Sequence, residues 1–213
     1  MTFTIHTAPQ GTPEWLAARA GRATGSRASD ILAKIKSGEA AARRDYRVQL
    51  ATERLTGQPQ EAGFVSADMK WGTDQEPFAR MAYEAHTGII VRETGFLAHN
   101  TLAIGCSLDG DADNFAGIVE YKCPKSATHI KWLLAGVVPP DHVPQITHNL
   151  WVTGCKYADF VSFDSGGFTV NWSTADATAR KEYYVAIGNQ PEGGLLRQVR
   201  FSQSGINIYG ARR

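Results

Sequence analysis

The stretch Cys106-Ser107-Leu108-Asp109-Gly110, followed by Gly117-Ile118-Val119-Glu120-Tyr121-Lys122-Cys123-Pro124, carries two carboxylates and an ammonium at a spacing that chemistry can use. Alternate side chains of a strand point the same way, so Glu120 and Lys122 share one face and Val119 and Tyr121 the other. Asp109 sits just past the preceding strand, before a glycine turn, and a hairpin between the two strands brings it beside Glu120. Carboxylates that close raise each other's pKa unless a cation separates them. A hard divalent ion such as Mg2+ resolves that repulsion, and Lys122 beside it could orient or deprotonate a water. The chemistry suits phosphodiester hydrolysis. Each residue alone reads more simply as strand surface or turn; the set at this spacing reads as a site.

A second reading competes for the same stretch. Asp109, Asp111, Asp113 and Glu120 fall at positions 1, 3, 5 and 12 of a helix–loop–helix calcium site, with Asn114 where that loop has glycine. It would make the chain a non-catalytic calcium-binding module. The strand-like flank Leu102–Ser107 and the helix-interrupting Pro124 count against it. On the hydrolytic reading Asp111 and Asp113 are polar turn residues.

The elements that must position this centre are legible in part. Thr12-Pro13-Glu14 starts a helix that runs to about Ala20. Ser26 to about Ala33 predicts a second helix, with Ser26 able to cap it. Gly38 to Leu55 predicts a longer, arginine-rich helix stopped at Gly57. Gly57 to Asp68 reads as loop. Pro77 to His86 predicts a helix with Phe78, Met81, Ala82 and Ala85 on one stripe, and Trp71 before it reads as core. Short strands follow at Ile89–Arg92, Gly95–Ala98, Leu102–Ser107 and Gly117–Cys123. Helical spacing returns at Thr128–Ala135 and Pro144–Thr153. Lys156–Phe163 and Phe168–Trp172 look like a hairpin, and Thr174–Ile187 like a helix. The order predicts an α/β (α+β) fold with a central mixed sheet flanked by helices.

The 213 residues suit a single domain, and 22 Lys+Arg against 21 Asp+Glu leave a net charge of +1. That balance gives no global nucleic-acid signature, so such a partner would need a local basic surface, assembled if necessary by oligomers. Three cysteines without Cys-x-x-Cys spacing predict reduced thiols in the cytoplasm rather than disulfides or zinc. No apolar run approaches the ~20 residues of a membrane span, and none is expected.

Asp109-Gly110 with Glu120-Tyr121-Lys122-Cys123-Pro124 resembles the signature of the PD-(D/E)xK nucleases. More narrowly, the chain resembles the lambda-exonuclease (YqaJ-type) viral recombinases. Three further blocks carry that resemblance, in the family's order: Gly11-Thr12-Pro13-Glu14-Trp15-Leu16 running to Arg19 and Thr24-Gly25-Ser26; Trp71 to Pro77; and Gln145 with Leu150-Trp151-Val152-Thr153-Gly154.

The resemblance implies a restriction-endonuclease-like core. Its implied activity is a 5′→3′ exonuclease that digests linear duplex DNA from 5′-phosphorylated ends and leaves 3′ overhangs for an annealing protein. A sequence-specific endonuclease on the same core is a third possibility, after the calcium-binding module. By resemblance Asp109, Glu120 and the Tyr121 carbonyl bind Mg2+, with two ions per site and Mn2+ able to substitute. Lys122, Glu76 and Gln145 take the catalytic positions. Arg19, Ser26 and Ser107 match a pocket for the terminal 5′-phosphate. Lys36 matches a residue that enters a DNA groove, and Met69 a wedge at the duplex end. The same resemblance implies a ring-shaped homotrimer and a phage or prophage origin, acting in the bacterial cytoplasm. The chain departs from the family at Leu108 in place of proline, at uncharged Thr128, where Lys125 or Lys131 could substitute, and at Thr147 in place of glutamine.

Overall fold

The computed structural model describes residues 2–60, 66–164, 195–202 and 205–208. Two mixed sheets flanked by six helices form the described architecture, where the sequence suggests a single central sheet. Numbered in chain order, the first sheet runs β1 (Phe3–His6), β4 (Phe96–His99), β5 (Ile104–Ser107), β2 (Ala23–Thr24), and only β2 and β5 are parallel. The second runs β10 (Gly205–Ile208), β9 (Leu195–Ser202), β8 (Tyr157–Asp164), β7 (Gly117–Lys122), β6 (Gly110–Ala112), β3 (Val91–Arg92). Within it only β7 and β8 are parallel.

Consecutive strands β5 and β6 belong to different sheets, so the chain crosses between sheets at Leu108-Asp109. Asp109 therefore stands where the sheets part. Gly110 allows the crossing. A Cβ there would lie 2.1 Å from Val91 Cγ1, so only glycine lets β3 close the sheet edge. The β6–β7 turn holds three left-handed residues in a row, Asp113, Asn114 and Phe115, at φ 53, 55 and 62°. Asp111 is a buried strand residue, which corrects its reading as part of that turn.

Thr12 caps α1 (Pro13–Arg19) by accepting the Trp15 N–H at 3.3 Å. Helices α3 (Ala41–Thr56), α5 (Ser126–Ala135) and α6 (Val143–Thr153) lie close to where periodicity puts them. Two helix starts differ. Ser26 does not cap a helix: it lies inside a 3-10 turn, Gly25–Arg27, ahead of the short α2 (Ala28–Leu32), and its Oγ lies 3.3 Å from Thr24 Oγ1. Helix α4 spans Ala67–Thr87, so Pro77 sits inside it instead of opening it.

Ser66 supplies the α4 cap, accepting the Met69 N–H at 3.1 Å, and a Lys70–Asp74 pair one turn apart at 3.1 Å supports the extra turns. Proline lacks an N–H and breaks one rung of the helix ladder, which is why its position resembles a helix start. Trp71, Phe78 and Met81 are exposed, against their reading as core and core-facing stripe. The buried face of α4 carries Ala79 and Tyr83.

Strand β7 obeys the two-residue alternation. Ile118 joins Leu97, Cys106, Leu108, Ile146, Leu150 and Phe160 in the larger core. Val119 and Tyr121 join Ala79, Tyr83 and Val161 in a second core beneath α4. Helices α4 and α6 thus cover opposite faces of the strand that carries Glu120. The Tyr83 hydroxyl donates to buried Asp159 at 2.7 Å and ties α4 to β8. Predicted strand Phe168–Trp172 and helix Thr174–Ile187 lie outside the described residues; the described antiparallel partner of β8 is β9. No helix among the described residues is long and apolar enough to cross a membrane.

Candidate active site

The β6–β7 hairpin sets the first contacts. Gly110 pairs with Val119, which carries Asp109 to the end of the ladder beside Glu120. The Tyr121 N–H donates to Asp109 Oδ2 at 2.8 Å. The Tyr121 ring turns the other way, edge-on to Tyr83 at 6.2 Å, so only its main chain is available to the site.

Glu120 is 1% exposed, and three side chains donate to its carboxylate. Lys122 Nζ donates to Glu120 Oε1 at 2.5 Å from the same strand face. From α6, Gln145 Nε2 donates to the same oxygen at 2.6 Å, and Asn149 Nδ2 reaches Oε2 at 3.4 Å. Gln145 and Asn149 are one helical turn apart and share a face. That spacing was available in the sequence, yet Asn149 was not among the predicted site residues.

Electrostatics follow from this packing. Burial pushes Glu120 up to about 7, repulsion from Asp109 adds to it, and the Lys122 ammonium opposes. Asp109 is raised by burial as well, against the pull of Lys122 and the Tyr121 N–H. Glu76, on α4, is pushed up to about 7 by burial and then by the Asp109 charge. Burial disfavours the Lys122 ammonium, but Glu120 and Asp109 outweigh it and hold its pKa above the ordinary lysine value. Lys122 therefore keeps its positive charge beside these carboxylates, suited to orienting a water or steadying developing negative charge.

Asp109 and Glu76 open onto a groove of about 890 Å3. Its walls come from the β1–α1 connection, from α4 through Glu76 and Arg80, from the β3–β4 connection and from the β5–β6 junction. Glu120 is buried and does not line the groove. Among the described residues no three His, Cys, Asp or Glu side chains form a ready metal cage. The donors at hand are two repelling carboxylates and the Tyr121 main chain. All are oxygen, and the repulsion between Asp109 and Glu120 is what a divalent ion would relieve, so the set fits a hard cation.

Of the three residues predicted for a phosphate pocket, Arg19 and Ser107 lie on the α1 side of the first sheet. The Arg19 guanidinium stacks on Trp15 at 4.1 Å and lies 5.8 Å from the Phe96 ring centre. Ser107 pairs across the sheet with Phe96, so their side chains share a face. Ser107 also lines the groove, and its buried Oγ has no hydrogen-bond partner among the described residues. Ser26 is exposed in its turn, without the helix N-terminus expected for it. Lys36, in the loop after α2, and Met69, in the first turn of α4, are exposed and do not line the groove. Lys125 pairs with Asp68 at the surface at 2.8 Å, and Lys131 is exposed.

The calcium-loop spacing does not converge. Asp111 is 1% exposed and pairs with Arg92, donating groups on Arg92 reaching it from Nε at 2.9 Å and from Nη2. Asp111 also takes the Phe115 N–H at 2.5 Å. Asp113 accepts the Tyr157 hydroxyl at 2.8 Å. The flanks are strands, not helices.

An α+β core with an Asp–Glu–Lys centre at the junction of two sheets defines the PD-(D/E)xK-like fold of exonucleases. Residues 14–156 match the YqaJ-like viral recombinase domain, and the chain belongs to that family. Among solved structures it is similar to LHK-Exo, an alkaline exonuclease from Laribacter hongkongensis, with 33% identity and a TM-score of 0.62, over 82% of this chain and 89% of that one. LHK-Exo in complex with dAMP aligns at 31% identity and a TM-score of 0.65, over 91% and 84%. A phage-related exonuclease from Haemophilus somnus 129PT shares the fold at 14% identity and a TM-score of 0.55, over 85% and 84%. No curated protein matches the chain.

Proposed function

We propose that the chain is a Mg2+-dependent nuclease of the recombination type that digests linear double-stranded DNA 5′→3′ from 5′-phosphorylated ends. The observation that carries this reading is the convergence of Asp109, Glu120 and Lys122 at the sheet junction, with Asp109 and Glu76 open to one groove. Family membership supports the recombination role, and the LHK-Exo relatives support exonuclease chemistry. A deoxynucleoside monophosphate, the ligand in one LHK-Exo structure, is the product type an exonuclease releases.

Asp109, Glu120 and the Tyr121 carbonyl would hold Mg2+, two ions in the full site, with Mn2+ as a substitute. The metal supplies polarisation of a phosphoryl oxygen and a lower pKa for a bound water. The chain's own residues do the rest. Lys122 holds its positive charge beside the reacting phosphate. Glu76, titrating near neutrality, is suited to accept a proton from an attacking water. Gln145 and Asn149 fix the Glu120 carboxylate. Arg19, Ser26 and Ser107 take the terminal 5′-phosphate, while Lys36 and Met69 contact the duplex.

The reading extends to a ring-shaped homotrimer, which would gather basic residues around a channel, and to a single-strand annealing partner in the bacterial cytoplasm. The deciding experiment is a time course on 5′-phosphorylated linear duplex, with and without Mg2+, beside closed circular DNA. Mg2+-dependent loss of the linear substrate alone is expected. Cleavage of circles would favour an endonuclease, and no digestion would reject the reading. Light scattering on the purified protein tests the trimer.

A further inference from the structure

Two guanidiniums, Arg80 and Arg92, line the groove with four carboxylates, Glu76, Glu93, Asp109 and Asp111. A polyanionic strand can occupy such a groove only if most of that negative charge is answered. Asp109 belongs to the candidate metal site and Glu76 to the catalytic centre beside it. Asp111 is answered by Arg92, and because Asp111 is 1% exposed, releasing Arg92 would strand a buried charge. Arg80 is held differently. Its Nη2 pairs with Glu93, whose side chain is 72% exposed and loses little by returning to water. Arg80 is thus the groove guanidinium that can change partners.

Its unused hydrogen bonds point the same way. Arg80 Nε is buried with no partner among the described residues, and so is the Oγ1 of Thr94, the neighbour of Glu93. Buried polar groups are normally satisfied, and both of these residues line the groove. A carboxylate on Nη2 alone leaves the guanidinium fork half used. A phosphate can accept from Nε and Nη2 together, and from a hydroxyl with a third oxygen. Arg80 lies one helical turn beyond Glu76, on the same face of α4, which places this fork next to the hydrolytic centre.

We propose that Arg80 and Thr94 form a subsite for an internal phosphodiester of the substrate strand, with Glu93 holding Arg80 until that phosphate displaces it. This deepens the nuclease reading and rests on it. The subsite is distinct from the terminal-phosphate pocket assigned to Arg19, Ser26 and Ser107.

The test is steady-state digestion of linear duplex with Mg2+, on 5′-phosphorylated and 5′-hydroxyl ends, by wild type, Arg80→Gln, Thr94→Val and Glu93→Gln. Arg80→Gln should raise KM roughly tenfold, the loss of a charged hydrogen-bond partner; because Arg80 also holds the Glu76 pKa down, kcat is compared well above neutral pH, where Glu76 is ionised in both proteins, and should stay within about twofold there. The increase should be equal on both kinds of end. The slope of log(1/KM) against log salt should become shallower by roughly one, the share of a single phosphate contact. Thr94→Val should raise KM less, and Glu93→Gln should lower it. Glu93 is exposed, so that variant keeps the test open if Arg80→Gln folds poorly.

Unchanged KM in Arg80→Gln, in an active wild type, overturns the subsite alone. A KM increase confined to 5′-phosphorylated ends overturns it in favour of the terminal phosphate. Unchanged or raised KM in Glu93→Gln overturns the displacement. A wild type that neither binds nor digests DNA overturns the nuclease reading, and the subsite with it.

Discussion

Gln145 donates to the same carboxylate oxygen of Glu120 that Lys122 grips, at 2.6 Å and 2.5 Å. One oxygen therefore gathers a neutral donor from α6 and a cation from its own strand, while Oε2 is left to the longer contact from Asn149. Groups that orient a metal ligand typically cost 10–100-fold in metal affinity or activity when removed. Gln145→Ala should shift the Mg2+ dependence of digestion to higher concentration by about that factor, read from initial rates in a metal titration. An unchanged midpoint would make Gln145 structural only.

Lys122→Ala should reduce digestion by roughly 10²-fold or more, as loss of a positioned charge stabiliser does. In the metal-free protein it also leaves Glu120 and Asp109 without their cation, so thermal stability should fall at pH 8 more than at pH 5, where the carboxyls take up protons. Thermal melts at the two pH values separate the catalytic effect from folding.

The sign of the pH effect differs between two parts of the molecule. Glu76 and Glu120 are raised to about 7, so the metal-free fold binds more protons than the unfolded chain between about pH 4.5 and 7. Their contribution is fully present below the ordinary carboxylate pKa and lost as pH rises through 7. Mg2+ competes with those protons. Digestion should therefore rise through neutrality, and the gain in melting temperature on adding Mg2+ should be larger at pH 8 than at pH 6.

His129 behaves in the opposite way. It is buried, its Nδ1 lies 2.7 Å from Ser162 Oγ, and burial pushes its pKa down to about 4. Its contribution is present above the ordinary histidine value of 6.5 and is lost as pH falls toward 4. Acid titration of a His129→Gln variant should show a flatter stability curve over that window than wild type.

Gly25 packs against the site from outside it. A Cβ there would lie 2.2 Å from Asn149 Oδ1, so Gly25→Ala should displace Asn149, cost roughly 1–3 kcal/mol and lower activity. Gly72 is the contrast: it lies within α4 with open space around its Cβ position. Gly72→Ala should stabilise by up to about 1 kcal/mol, measured by denaturant melts, through helix propensity alone.

Much of this was legible because it is local. The alternation of Val119, Glu120, Tyr121 and Lys122, the Thr12-Pro13 start and the terminating glycines act over a few residues and need no partner. Asp109 beside Glu120 was legible because a hairpin is a short-range event. The extent of α4 was not, since Pro77 imitates a helix start while Ser66 and the Lys70–Asp74 pair carry the true one. Asp111 read as a turn because strand pairing with β3 depends on Arg92, distant in sequence. Arg80 and Asn149 each follow a predicted site residue by one turn, but only packing shows what their faces meet. The two-sheet division depends on the crossing at Leu108-Asp109, which no periodicity marks.

The left-handed run Asp113-Asn114-Phe115 closes the hairpin that carries the centre. Each residue there lacks the freedom of glycine, and together they hold Phe115 on Phe3, at 5.1 Å, with its N–H on Asp111. Such a run is held from several sides: the Tyr157 hydroxyl on Asp113, Asp111 on the Phe115 N–H, and Phe3 of the amino-terminal strand on the Phe115 ring. Phe3 is thus one brace of the hydrolytic hairpin, and trimming the strand that carries it would slacken a turn more than a hundred positions downstream.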